Sequence, residues 1–454
     1  MAKFNREKAL RKIEFKRKWR NYSRYVYIAV PCVLCCLLCL YFAYSKFFVS
    51  EEQAVIRTTV GDFIYGDIVI SAYIDGEYSN TIPGKDDGYI VEKVSCDNDA
   101  IGKWNSDDWG IMVTDLSKRT KCNVYFKKKP DSKVPEIIAQ LDTSGKCPTV
   151  NDDGSVNVTG VEATNGYLCK AKDAYGDSYY YRGNVTNNYV KFADKYWRIV
   201  RINGDGTVRV IYDGTSAHAN GEASADRQIG TSAFNSSYND NAYVGYMYGK
   251  TGASTYADAH ANTNNSTIKT YIDDWYKTNI VGTTNEQYLA DNIFCNDRSM
   301  AGNNSGTGAG TSVTYYRWYN GPWESENYSK YNKKMMLTCS QKNDAFTVSD
   351  TTNGNGALTY PVGLLSTDEI ALAGGWNAAN SGYYLYSGQV WWASSPYYFG
   401  GLGAFVRGVY SDGHADGFSD GVGSSHGVRP VFNLKAEVLL QGSGTAEDPY
   451  RISS

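Results

Sequence analysis

Residues 388–434 read GQVWWASSPYYFGGLGAFVRGVYSDGHADGFSDGVGSSHGVRPVFNL, and the phase of the side chains along this stretch decides the fold. Residues 389–394 and 427–434 are short apolar runs with aromatic and β-branched members, which predicts two buried strands. Between them Ala404, Val406 and Val409 suit an inward face, while Phe405, Arg407 and Tyr410 suit an outward one. Neither a strand period nor a helix period fits throughout, so β-bulges are expected. Asp412, Asp416 and Asp420 each precede Gly at four-residue spacing, the trace that successive tight turns leave.

Working outward, WRIVRINGDGTVRVIYDG at 197–214 alternates on both sides of Asn203-Gly204-Asp205-Gly206 and predicts a β-hairpin. Its turn lacks the further acids of a calcium loop. Helices are expected at 266–280, capped by Ser266, and at 366–375, where Ser366 leads an acidic first turn and Gly374 and Gly375 stop it. Two short helices in a background rich in Tyr, Gly, Asn and Ser make residues 147–434 one β-rich α+β domain, with no phosphate-binding glycine motif. Residues 53–130 read as a small β spacer domain, ending in the solvated strand end of Lys127, Lys128 and Lys129. Residues 435–454 form a closing strand and tail.

The 454 residues carry 45 Lys and Arg against 48 Asp and Glu, a net charge of -3, which argues against a nucleic-acid partner. That charge is unevenly spread. Eleven basic and two acidic side chains fall within residues 1–46, leaving the remainder strongly acidic. Between the two lies YVYIAVPCVLCCLLCLYFAYS at 25–45, uncharged and long enough as a helix to cover roughly 30 Å of hydrocarbon. The positive-inside rule makes residues 1–24 a cytoplasmic basic segment and exports everything after the span. A long basic lead and the lack of a small-x-small cleavage site favour an uncleaved single-pass anchor in the cell membrane over a signal peptide.

Cys32, Cys35, Cys36 and Cys39 lie inside that span as polarizable filler. Cys96, Cys122, Cys147, Cys169, Cys295 and Cys339 are an even set on the exported side, where disulfides persist. Several connectivities are open; nearest-neighbour closure joins Cys96 to Cys122, Cys147 to Cys169 and Cys295 to Cys339. No C-x-x-C occurs outside the span and only His218, His260, His414 and His426 are present, so neither a metal nor a cofactor is expected.

Trp391, Trp392, Ser394, Ser395 and Pro396, then Ala404-x-Val406, then Gly427-Val428-Arg429-Pro430-Val431 form an ordered set. It resembles the end of the variable proteins of bacterial diversity-generating retroelements, and a broader group of related surface domains. The resemblance reaches back to about residue 179 and implies a C-type-lectin-like fold of the formylglycine-generating-enzyme type, with fixed core strands and a displayed variable face. Trp391, Trp392, Pro396, Gly427, Arg429 and Pro430 would be scaffold, Arg429 needing a buried carboxylate partner. The ligand-binding face would comprise Tyr397, Tyr398, Phe399, Leu402, Phe405, Arg407, Tyr410, Asp412, His414, Asp416, Phe418, Asp420, Ser425 and His426. Independently of the resemblance, residues 393–434 contain no Lys, Glu, Gln, Met or Trp, the five residues that codons ending in a pyrimidine cannot specify. Adenine-directed diversification, the mechanism of the resembled family, leaves that gap; so does a turn-rich segment that excludes long side chains.

The expectation is a membrane-anchored extracellular binding protein, an adhesin or receptor, whose partner is a protein or glycan on another cell, phage or host surface. Aromatic anchors with few rotors and adjustable Asp, Ser and His groups suit recognition rather than catalysis. The alternatives are an undiversified lectin-like domain or a wall-associated structural domain. Formylglycine-generating chemistry needs a cysteine pair near the domain end, and no cysteine follows Cys339. Sugar-binding calcium lectins resemble this chain less, since Glu-Pro-Asn is missing and Trp376-Asn377 continues into Ala378.

Overall fold

A computed structural model describes residues 11, 14–19, 63–65, 68–85, 87–105, 108–114, 119–128, 132–302, 305–319, 334–376, 378–417 and 421–452. The span at 25–45 lies outside them; among the described residues no helix is long and apolar enough to cross a membrane. The chain is β-rich with few helices. It divides into two compact units between Lys129 and Pro130.

In the first unit, Ile68–Ile74 pairs in parallel with Thr120–Lys128, which pairs antiparallel with Tyr89–Cys96. Thr120, Cys122, Val124 and Phe126 are buried and Lys121 is exposed, the alternation expected of a strand with one covered face. Ile70, Ala72 and Ile111 complete the core, and Cys96 is bonded to Cys122 directly across the ladder.

The second unit is built on a seven-stranded antiparallel sheet. Its strands are β1 (Tyr167–Asp173), β2 (Gly176–Arg182), β3 (Tyr189–Phe192), β4 (Lys195–Ile202), β5 (Val208–Gly214), β8 (Val362–Gly363) and β13 (Val431–Leu434). Their order is β8-β13-β5-β4-β2-β1, with β3 also on β4. The predicted hairpin joins β4 to β5: the Asn203 N–H donates to the Thr207 carbonyl at 2.8 Å.

Every residue of β5 is buried because both faces of the sheet are covered. On one face Tyr212 meets Trp275 of helix α1 (Thr267–Asn279), ring centroids 6.1 Å apart, and Phe432 of β13 stacks on Trp197 at 4.6 Å. The Ser266 side chain caps α1 by accepting from the Lys269 N–H, and Ile268, Ile272 and Tyr276 give it a buried stripe at four-residue spacing. On the other face Arg209 donates to Glu369 of helix α2 (Thr367–Ala373) at 2.6 Å, and Arg201 reaches the same oxygen at 3.2 Å. Ser366 and Glu369 form a capping box at the start of α2, and Gly374 ends it in the left-handed region at φ 118°.

The second sheet holds β6 (Thr231–Ala233), β12 (Ser425–Gly427), β9 (Trp391–Phe399), β10 (Ala404–Val409) and β11 (Ala415–Gly417) in that order, with β7 (Thr314–Tyr315) also on β9. The sequence expected a turn at each Asp-Gly step. Asp412-Gly413 is one, whereas Asp416 and Gly417 lie in β11, paired with Gly408 and Arg407 of β10, and Asp420 lies outside the described residues.

Cys147 is bonded to Cys169 and Cys295 to Cys339, so all three pairs follow nearest-neighbour closure. Residues flanking 147–434 belong to this unit too: Val134, Ile137 and Tyr450 sit in its core, and the Lys133 N–H donates to the Leu439 carbonyl at 2.7 Å.

Candidate functional site

The scaffold expected from the sequence is interior. Trp391, Trp392, Pro396, Gly427, Arg429 and Pro430 are all buried. Trp392 donates its indole N–H to the Ser232 carbonyl at 2.8 Å, tying β9 to β6. Gly427 is obligatory on steric grounds: a Cβ there would lie 1.8 Å from the Gln228 side-chain oxygen and 2.9 Å from the Val390 carbonyl. The carboxylate partner of Arg429 is Asp213, on β5, at 2.8 Å. Arg227 donates to the same Asp213 oxygen, and Arg198 stands 3.9 Å from the other. Three buried guanidiniums thus share one carboxylate; backbone carbonyls take further donors, Tyr212 and Leu385 for Arg429 and Tyr384 for Arg227, while Arg198 donates to the Asn188 and Asn220 side-chain oxygens and the Val185 carbonyl. Burial pushes the Arg429 pKa down to about 10, against the pull of Asp213.

Upon this frame β9 and β10 form a hairpin whose tip is Gly400-Gly401-Leu402-Gly403. The turn closes through the Gly400 N–H to the Gly403 carbonyl at 2.9 Å, and Gly401 takes φ +83°. Leu402 at the tip is 87% exposed. Behind it Tyr398 and Phe405 are directly paired across the strands, their rings stacked at 4.4 Å and 7°. Tyr397, Tyr315 and Tyr319 join them: Tyr319 lies 5.3 Å from Tyr397, 5.5 Å from Tyr398 and 4.4 Å from Tyr315. Tyr315, Tyr397, Tyr398 and Phe405 are half-buried, and exposed Val313 and Tyr238 flank the tip. Partial burial raises the Tyr398 phenol, which stays protonated.

Two expected contact residues are interior instead. Register shifts in β9 between Trp392 and Pro396, and again between Pro396 and Tyr398, change the phase of the strand, so Tyr397 and Tyr398 are half-exposed in succession and Phe399 points into the core. Arg407 is buried although its phase is outward, because other chain segments cover that face. Its guanidinium donates to the Trp318 carbonyl and lies 4.7 Å from the Tyr397 ring centroid and 5.8 Å from that of Trp376.

The other residues gather at the far end of β9. Tyr410 and His414 stack at 5.0 Å across the β10–β11 turn, and His414 Nδ1 lies 2.6 Å from Asp412. Partial burial opposes ionisation of Asp412, but hydrogen bonds from the His414 ring and backbone hold its carboxyl below the usual range. Ser425 and His426 stand across β9 from this turn, on β12; Ser425 is exposed and the His426 ring packs 4.8 Å from Trp392. The Asp416 side chain, Phe418 and Asp420 lie outside what is described. The nine residues of β9 separate its two ends by roughly 26 Å at strand rise, so the fourteen positions do not make one patch.

Sequence reasoning missed Tyr315, Tyr319, Val313 and Tyr238. The signal for three of them was the run VTYYRWY at 313–319, whose aromatic density exceeds that of its surroundings. Among the described residues no three His, Cys, Asp or Glu side chains are grouped to hold a metal ion. Compared with family models, curated proteins and solved structures, the chain shows no match.

Proposed function

We propose that the chain is a membrane-anchored, outward-facing binding protein whose second unit presents the β9–β10 tip as its contact surface, on a C-type-lectin-like framework. The observation that carries this reading is the contrast between an exposed Leu402, backed by a half-buried aromatic cluster, and the buried, hydrogen-bonded strand from which both project. Aromatic rings held in place by their neighbours lose little entropy on contact, and an apolar tip gains from desolvation. The partner is a protein or glycan on another cell, phage or host surface.

The residues behind the resemblance to retroelement variable proteins serve as a fixed frame, and Leu402 and Phe405 fall in the segment lacking Lys, Glu, Gln, Met and Trp. Diversification of that segment is therefore part of the proposal. It requires a reverse transcriptase gene and a near-copy of the coding region for 393–434 in the neighbouring DNA; finding neither leaves an undiversified receptor.

The direct test is adhesion of cells displaying the full chain to panels of bacterial, phage and animal-cell surfaces. Leu402→Asp and Phe405→Ala are expected to lower adhesion to any bound surface by about 2 kcal/mol each, as central anchors do. Unchanged adhesion in both variants refutes the tip as the contact surface.

A further inference from the structure

A cleft of about 590 Å³ lies in the second unit, lined by residues 140–144, 166–168, 181 and 184–187. Its volume falls within the roughly 300–1,000 Å³ of small-ligand sites. No residue of the display hairpin lines it.

The lining is ordered by depth. Leu168, Val185 and Tyr181 are buried and supply an apolar interior, while Thr143, Ser144, Asn184 and Thr186 are exposed at the rim. The Tyr181 hydroxyl is enclosed behind this lining, so its ring and not its oxygen faces the interior of the cleft. Asn184 uses its side-chain oxygen to accept from Asn220 at 2.7 Å, which leaves the amide N–H groups of Asn184 to face solvent.

One wall is the ring of Tyr167, fixed because its hydroxyl donates to Glu162 at 3.0 Å. The one carboxylate among the described lining residues is Asp142, which accepts from the Ser144 hydroxyl at 2.6 Å and from the Lys146 N–H at 3.1 Å. The Ser144 hydroxyl holds that carboxyl below its usual range, so it remains an acceptor at neutral pH.

These groups select a ligand class. Among the described residues no Lys or Arg lines the cleft, so an anion would meet a carboxylate and neutral dipoles there. A purely apolar molecule would strip water from the rim amides and hydroxyls and return nothing. A sugar ring presents C–H faces for the apolar interior and the Tyr167 ring, and hydroxyls that both donate and accept for Asp142 and Asn184. We propose that this cleft binds a neutral saccharide of one or two rings, independently of the display hairpin.

The test is saturation-transfer NMR on the full chain in a sugar-free detergent, with maltose, cellobiose, lactose and N,N′-diacetylchitobiose as probes at millimolar concentration. Transfer to at least one probe is expected, with affinity about tenfold weaker in Asn184→Ala and in Thr186→Trp and unchanged in Lys277→Ala, an exposed position outside both the cleft and the hairpin. Asn184 and Thr186 are exposed, and Asn184→Ala removes only the hydrogen bond from Asn220, so both variants stay folded with melting temperatures within about 3 °C of wild type. The absence of transfer to all four probes, or transfer that neither cleft variant weakens, overturns the proposal.

Discussion

Asp213 holds the positive charge of Arg198, Arg227 and Arg429 in a part of the second unit that water does not reach. Removing one partner of a buried ion pair strands the other, at a cost of about 3–5 kcal/mol. Asp213→Asn keeps the shape and deletes the charge, so urea unfolding should lose about that much stability; a loss under about 1 kcal/mol would show that the neutral acceptors, backbone carbonyls together with the Asn188 and Asn220 side chains, hold the three guanidiniums. Glu369 gives the complementary pH dependence. Burial opposes its ionisation, but Arg209 and Arg201 hold its pKa below the ordinary 4.5. A depressed carboxyl contributes stability that is complete above the unfolded value and is lost as pH falls through the folded one. Between pH 5 and 3 the wild type should therefore lose stability more steeply than Glu369→Gln, which is less stable at neutral pH but flatter in acid. Parallel acid limbs in the two proteins would contradict this.

At the scale of elements, β9 meets β12 at the Trp391–Gly427 pair, where the chain allows no side chain. Gly427→Ala should lower stability by about 1–3 kcal/mol, because the Val390 carbonyl cannot move away without breaking the Gly427 N–H bond it accepts at 2.9 Å. A melting temperature within a degree of wild type would mean that the strands reseat freely. Elements set by local chemistry were legible in the sequence: the Asn203–Gly206 hairpin, the Ser266 and Ser366 caps and the stop at Gly374 each depend on residues within a few positions. The inward phase of Ala404, Val406 and Val409 was legible as well. What alternation cannot convey is which segment lies across an outward face. Arg407 is hidden by chain some ninety positions earlier, and Phe399 by two bulges whose presence, but not position, the pattern implied. Asp213 was invisible as the Arg429 partner for the same reason, being 216 residues away.

At the scale of the whole molecule, the disulfides among the described residues lie within its two units, one in the first and two in the second. Each should report on its own unit. Calorimetry of the full chain should resolve two transitions, and replacing Cys96 and Cys122 together by Ser should lower only one of them, by about 2–5 kcal/mol of unfolding free energy. A shift of both transitions would mean that the units unfold together. Within the second unit the Lys133–Leu439 bond, with Arg451 paired to Leu440 and Gln441 beside it, brings the first and last described segments of the unit to the same spot. A fold with neighbouring ends can be spliced into a surface loop of an unrelated host without stretching either, and it can be inherited, shuffled or engineered as a self-contained cassette.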